Sequence, residues 1–335
     1  MPDLPKSRKE LIQQLESARK SRIICYFTGD RKNQEVQIGD DALPIIAQHL
    51  SEIGKVNELD LLIYSRGGNT LTGFALANAL REFGDIIKIL IPFRAHSCAT
   101  LIALGANEIV AGPFAQLSPI DPTIATPHGP TIEQAGQTQF LPVSVEDVAN
   151  YFELARKEAK LSGEEYMADV LGHLAQRVSP LALGAVYRAR EQIGMLASKL
   201  LNLHIKEPDR IEHITKLLAR ELLSHDYVIS RREAKAMKLP VIEAGNDEAK
   251  LMWAIYEDVA KELTLWEPWN WEKEVQATQP RTSTRAIIES SNLKHIFTST
   301  YQIKRVTITP PGGGKTGRTD TLQITAIDEG SWKKV

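Results

Sequence analysis

Two stretches in the first third of the chain each run from an apolar strand, through a turn, into a helix, and this pairing limits the fold more than any other feature. In the first, Leu59–Tyr64 (LDLLIY) leads through Ser65-Arg66-Gly67-Gly68 into the helical stretch Thr70–Phe83. In the second, Ile86–Ile91 (IIKILI) leads through PFRAHS into the small, apolar run Cys98–Ala106 (CATLIALGA). Short apolar runs rich in β-branched residues read as buried strands, and the runs after the turns as helices. Two successive strand-turn-helix units predict an open α/β sheet with both turns at its carboxyl edge, where ligands bind in such sheets.

Ser97 stands where the second strand gives way to its helix. A first helical turn has unpaired backbone N–H groups and a dipole that favours developing negative charge. Serine is also a preferred N-cap, so position alone leaves a cap and a nucleophile both open. The paired glycines after the first strand weigh on this choice. They let the backbone turn sharply and expose N–H donors. A hydroxyl beside such donors at one sheet edge is the arrangement that acyl transfer needs, a nucleophile next to an oxyanion hole. The sequence has no G-x-S-x-G, so the elbow of the α/β-hydrolases is not expected.

At these residues the chain resembles the Clp-fold serine proteases, most closely the serine dehydrogenase proteinase family, relatives of signal peptide peptidase A. The resemblance rests on SRGG and its helix, on AHSCATLIALGANEIVAGP, on the turn LSPIDP, and more weakly on LLSHDYVISRREAKAMKLPV (Leu222–Val241). It implies a Clp/crotonase-like α/β fold of repeated β-β-α units with helical additions, with Ser97 as nucleophile and the N–H groups of Gly68 and Cys98 as oxyanion hole. It also implies a peptide or protein substrate and assembly into a homo-oligomer. The chain departs from the family's small-residue pattern in having His96 before the serine and Cys98-Ala99 after it.

The general base is not fixed by these motifs. Clp-type peptidases carry a histidine on the turn after the next strand, but here the matching turn Ser118–Pro122 offers Asp121, which suits orienting a base better than acting as one. Signal-peptide-peptidase relatives use lysine, and no lysine occurs between Ser97 and Tyr151. His225, followed by Asp226, is the favoured base because it lies in the weaker family-like segment. The pair reads equally as a polar cap for the next helix. His128 in ATPHGP is the alternative base, and His96 adjoins the serine.

With 335 residues and a net charge of −2, the chain suits a cytoplasmic enzyme with a large core and shows no nucleic-acid footprint. Cys25 and Cys98 supply neither a disulfide framework nor a metal cluster, and no cofactor motif is recognised. No apolar run reaches the roughly eighteen residues of a membrane span, and MPDLPKSRKE does not read as a signal peptide. LIQQLESARK reads as a helix before strand Arg22–Thr28, Asp40–Ile53 as another helix, and residues 145–203 as helical almost throughout.

Composition shifts near Asn246, which divides the chain into residues 1–245, a Clp-fold domain, and 246–335, a small C-terminal appendage. This segment holds a helix, the cluster Trp266, Trp269 and Trp271, and two strands, Thr298–Thr309 and Thr321–Ile327. Between the strands, GGGKT resembles a phosphate loop, but the motif needs glycine at Thr309 and a helix afterwards, so a hairpin loop is expected. Besides the serine peptidase, two classes stay open: a crotonase-like acyl-CoA enzyme and a catalytically silent Clp-fold scaffold.

Overall fold

The computed structural model describes residues 7–120, 123–124, 126–134, 137–222, 224–275, 279–308 and 319–335. Helix α1 (Arg8–Arg19) precedes strand β1 (Arg22–Thr28), followed by α2 (Ala42–Ile53), β2 (Val56–Tyr64), α3 (Thr70–Phe83) and β3 (Gly84–Ile91). Next come β4 (Arg94–Ala95), α4 (Cys98–Leu104), β5 (Glu108–Ala111) and β6 (Gln116–Leu117). The small strands β7 (Thr123–Ile124), β8 (Thr131–Gln134), β9 (Gln137–Phe140) and β10 (Val143–Ser144) form two ladders, β7 with β10 and β8 with β9. Helices α5 (Val145–Glu153), α6 (Glu164–Ala175), α7 (Pro180–Leu201) and α8 (Pro208–Lys216) follow, with π-helical turns at Leu154–Glu158 and Leu217–Glu221. The chain ends with β11 (Ile229–Ser230), α9 (Arg231–Ala236), β12 (Val241–Glu243), α10 (Asn246–Glu262), β13 (Arg281–Glu289), β14 (Lys294–Ile308) and β15 (Thr319–Lys334). The GGGKT string falls on residues 312–316, outside the described residues.

One eight-stranded sheet runs in the order β12-β5-β3-β2-β1-β13-β14-β15. From β12 to β1 every pairing is parallel, and from β1 to β15 every pairing is antiparallel. The parallel strands are apolar on both faces because helices cover both. Along β2, Leu59, Leu61 and Ile63 join the core under α2, α3, α4 and α7, whereas Leu62 and Tyr64 join the one under α1 and α10. The two-residue period of a strand supplies both layers from one apolar run.

Packing is continuous across residue 246. Strand β13 pairs with β1 from Cys25↔Glu289 to Thr28↔Ala286, and Met252, Ile255 and Val259 of α10 pack with Leu11, Ile12 and Leu15 of α1. Buried Arg8 closes this layer, donating to Glu289 at 2.6 Å, Asp258 at 2.7 Å and Glu262 at 2.5 Å. Residues 145–201 are helical as expected, apart from the π-helical turn and the connections between helices. Among the described residues no helix is long and apolar enough to cross a membrane.

Candidate active site

A second, three-stranded sheet in the order β11-β6-β4 sits at the carboxyl edge of the main sheet's parallel strands and assembles the site. Strand β4 pairs with β6 in parallel, and β11 pairs with β6 antiparallel. One ladder thus ties together the segment entering Ser97, the segment entering Ser118 and the strand that follows His225-Asp226.

The SRGG turn lies alongside. Ser65 bridges Ala95, taking a bond from His96 N–H at 3.0 Å on its carbonyl and donating its own N–H to Arg94 O at 3.0 Å. Inside the turn, Gly67 N–H donates to Ser65 Oγ at 2.9 Å, and Thr28 Oγ1 donates to the same oxygen at 2.7 Å. Gly67 has φ 113°, and a Cβ there would stand 2.7 Å from Ser97 Cβ and 3.1 Å from Ser97 Oγ. Glycine is required because the turn packs directly on the serine.

Ser97 precedes α4 with φ 51° and ψ −116°, a conformation that L-residues with a Cβ rarely adopt. A capping serine is extended and accepts from the helix's first turn. Here the side chain makes no cap hydrogen bond. Ser118 Oγ accepts from Ser97 N–H at 2.7 Å, and Thr100 Oγ1 donates to Ala95 O at 2.7 Å, so neighbouring hydroxyls hold the turn and leave Ser97 Oγ uncommitted. Among the described residues none hydrogen-bonds that hydroxyl.

Both backbone donors named from the sequence lie in these two turns. Cys98 is the first residue of α4, so its N–H has no intrahelical acceptor. Gly68 bridges Ile38, which donates to Gly67 O and accepts from Asn69 N–H, both at 2.8 Å. In a parallel bridge this turns the N–H of Gly68 to the opposite side, and no described residue accepts from it. A Cβ at Gly68 would meet the Ile38 backbone at 2.3 Å, so its glycine serves packing on Ile38 as well as the turn. Cys98 is a filler: burial pushes its thiol up to about 12, and Sγ donates to Asn69 O at 3.0 Å, pinning one turn to the other.

The candidate bases are placed unequally. His225 and Asp226 occupy an exposed turn before β11. His225 is among the charges that lower the His96 imidazole, and Asp226 among those that raise Arg66. They do not cap the next helix: α9 starts at Arg231 and is capped by Ser230, whose Oγ accepts from Glu233 N–H. Exposed His128 sits in the turn before β8, and no described contact joins it to Ser97. Asp121 lies outside the described residues. Burial, then the charges of Arg94 and Arg66, lower the His96 imidazole to about 4, and its Nε2 is buried without a hydrogen-bond partner among the described residues.

The sequence patterns assigned no role to Ser118 or Asp30, and Gly67 stood out only as one of the paired turn glycines. Ser118 was visible only as part of the LSPIDP turn, while Asp30, just past β1, carries no local signal at all. It accepts from Tyr64 Oη at 2.6 Å, Arg66 Nε at 2.9 Å and Arg94 Nη1 at 2.8 Å. No metal-holding group of His, Cys, Asp and Glu occurs among the described residues.

The architecture is a mixed α/β sheet with a strained serine at the turn from its parallel strands into a helix. Residues 1–147 match the family model of the ClpP-like SDH-type serine proteinases, the family that the motifs resemble. The weaker family-like segment Leu222–Val241 lies beyond the match. The uncharacterized protein MJ0137 of Methanocaldococcus jannaschii is 22% identical over 267 residues, 76% of this chain and 80% of that protein. A second uncharacterized protein of that organism, MJ1495, is 32% identical over 113 residues, covering 34% of this chain and 38% of its own length.

Proposed function

We propose that this protein is a serine peptidase that hydrolyses peptide bonds through an acyl-enzyme on Ser97. The strained, uncapped backbone of Ser97 carries this reading, because strain held at a serine that caps nothing is expected of an aimed nucleophile. Ser97 Oγ attacks the scissile carbonyl and passes its proton to His225, oriented by Asp226 or Asp121. The oxyanion takes hydrogen bonds from Gly68 and Cys98 N–H. Collapse breaks the C–N bond, the amine leaves with the proton, and water then releases the acyl group.

A fluorophosphonate probe tests the nucleophile. The wild type is expected to be labelled at Ser97 by peptide mapping, and Ser97→Ala to lose labelling and peptide hydrolysis while melting as the wild type does. A folded wild type that is never labelled would leave the silent-scaffold reading. His225→Ala is expected to reduce turnover by about 10²–10⁴-fold, with His128→Ala near wild type. The opposite pattern moves the base to His128.

The same reading makes the chain a homo-oligomer. It is supported by the large apolar side chains left exposed over residues 154–195, among them Leu171, Leu181, Tyr187 and Met195.

A further inference from the structure

Arg66 and Arg94 line a cavity of about 260 Å³ at the sheet edge, walled by Tyr64, Phe93, Tyr256 and Trp266. Backbone continuity sets it next to the nucleophile: Arg66 immediately precedes Gly67, which packs on Ser97, and Arg94 enters the turn that carries Ser97. Asp30 braces both guanidinium groups through one oxygen, at 2.9 Å from Arg66 Nε and 2.8 Å from Arg94 Nη1, while Tyr64 Oη donates to the other. Burial works against the ionised form of Asp30, but the bonds from Tyr64 and Arg66 and the charge of Arg94 outweigh it and hold its pKa below the usual carboxylate value.

This brace spends little of what the arginines offer. Among the described residues only Nε of Arg66 and Nη1 of Arg94 donate to protein acceptors, so the other guanidinium N–H groups remain uncommitted. Arg94 also lies over the Phe93 ring at 4.5 Å, which fixes the plane of its fork. Lys32 adds a third cation to the lining, against the carboxylates of Asp30 and of Asp226, which acts on Arg66 from outside the cavity. The balance stays positive. The charges of Arg94 and Arg66 also act on His96, whose buried Nε2 has no partner among the described residues.

We propose that Arg66 and Arg94, braced on Asp30, form a subsite beside Ser97 that binds a carboxylate of the peptide substrate. Planar forks of fixed orientation suit bidentate recognition of a carboxylate. An acidic side chain and the C-terminal carboxylate share this chemistry. The inference rests on the peptidase reading of Ser97.

The test uses full-length Ser97→Ala and fluorescein-labelled alanine heptapeptides in an anisotropy titration. One peptide has a central Glu and an amidated C-terminus, one a central Gln and an amidated C-terminus, and one a central Gln and a free C-terminus. One carboxylate peptide is expected to bind about tenfold more tightly than the uncharged one. Whether the first or the third gains identifies the source. Arg66→Gln and Arg94→Gln, each added to Ser97→Ala, are expected to abolish the preference, read as the ratio of the carboxylate peptide's affinity to that of the uncharged one. Should Arg94→Gln not fold, Arg66→Gln decides alone, since that side chain is 55% exposed. Equal affinities for all three peptides, or a preference that survives Arg66→Gln, would overturn the subsite. Wild-type labelling by the fluorophosphonate stands apart: a carboxylate preference without labelling sinks the peptidase reading, and labelling without preference sinks only the subsite.

Discussion

Ser97 holds a backbone conformation that costs a residue bearing Cβ about 1–3 kcal/mol, and Gly67 makes it attainable by bringing no side chain where the serine needs room. The strain is offset by bonds from neighbours that are not themselves reactive: Ser118 Oγ on Ser97 N–H, and Thr100 Oγ1 on Ala95 O. Ser97→Gly should therefore separate stability from activity. Glycine adopts φ 51° without penalty, so the variant is expected to be inactive yet more stable by about 1 kcal/mol, measured by urea unfolding. A variant less stable than wild type would mean that the hydroxyl contributes more to the fold than the strained backbone costs.

Among the elements, α2 and β14 are joined by a buried pair of imidazoles. His49 Nδ1 bonds Ser290 Oγ at 2.8 Å and His49 Nε2 bonds His295 Nδ1 at 3.1 Å. Burial, then the charges of His295 and Lys334, lower His49 to about 4, and His295 is lowered as well, first by burial. The folded pKa lies below the unfolded value of about 6.5, so protonation favours the unfolded chain. Stability is complete above about pH 6.5 and is lost as pH falls towards 4. For His49 alone the loss is on the order of 3 kcal/mol. Carboxylates such as Asp30 are lowered too and add a loss of the same sign, so the comparison is with His49→Gln. Denaturant unfolding at pH 7.5 and 4.5 is expected to show a smaller pH difference in that variant. An unchanged difference would assign the acid sensitivity elsewhere.

For the whole molecule, the C-terminal ninety residues are structural partners of the first thirty. β13 continues the sheet at β1, α10 shares its core with α1, and Arg8 is buried against acids from both C-terminal elements. Ending the chain at residue 245 would uncover the edge and one face of β1 and leave Arg8 without its partners. A buried ion pair broken on one side costs about 3–5 kcal/mol before the lost apolar burial is counted, which is much of a typical domain's stability. The truncated chain is expected to aggregate or to unfold without a cooperative transition by circular dichroism. A soluble fragment with a sharp melt and Ser97 labelling would show that residues 1–245 suffice.

The sequence by itself determined the strand-turn-helix units and their serine, because apolar runs and small turn residues act locally: the helix Thr70–Phe83, the start of α4 at Cys98, and β2 and β3 follow from residues within one turn or one strand of themselves. The same local patterning marked two C-terminal strands, although β14 begins before Thr298 and β15 runs beyond both ends of Thr321–Ile327. What only the tertiary structure decided depends on residues far apart in the chain. Asp30 meets Arg66 and Arg94 across the strand ends, and Ser118 reaches Ser97 through the pairing of β4 and β6. The segment carrying His225 and Asp226 leads into β11, which joins that small sheet. The shift in composition near Asn246 likewise read as a boundary, yet α10 and β13 fill the core beside α1 and β1. Composition registers how polar a segment is, whereas the partner against which it buries its apolar face is set by packing between elements.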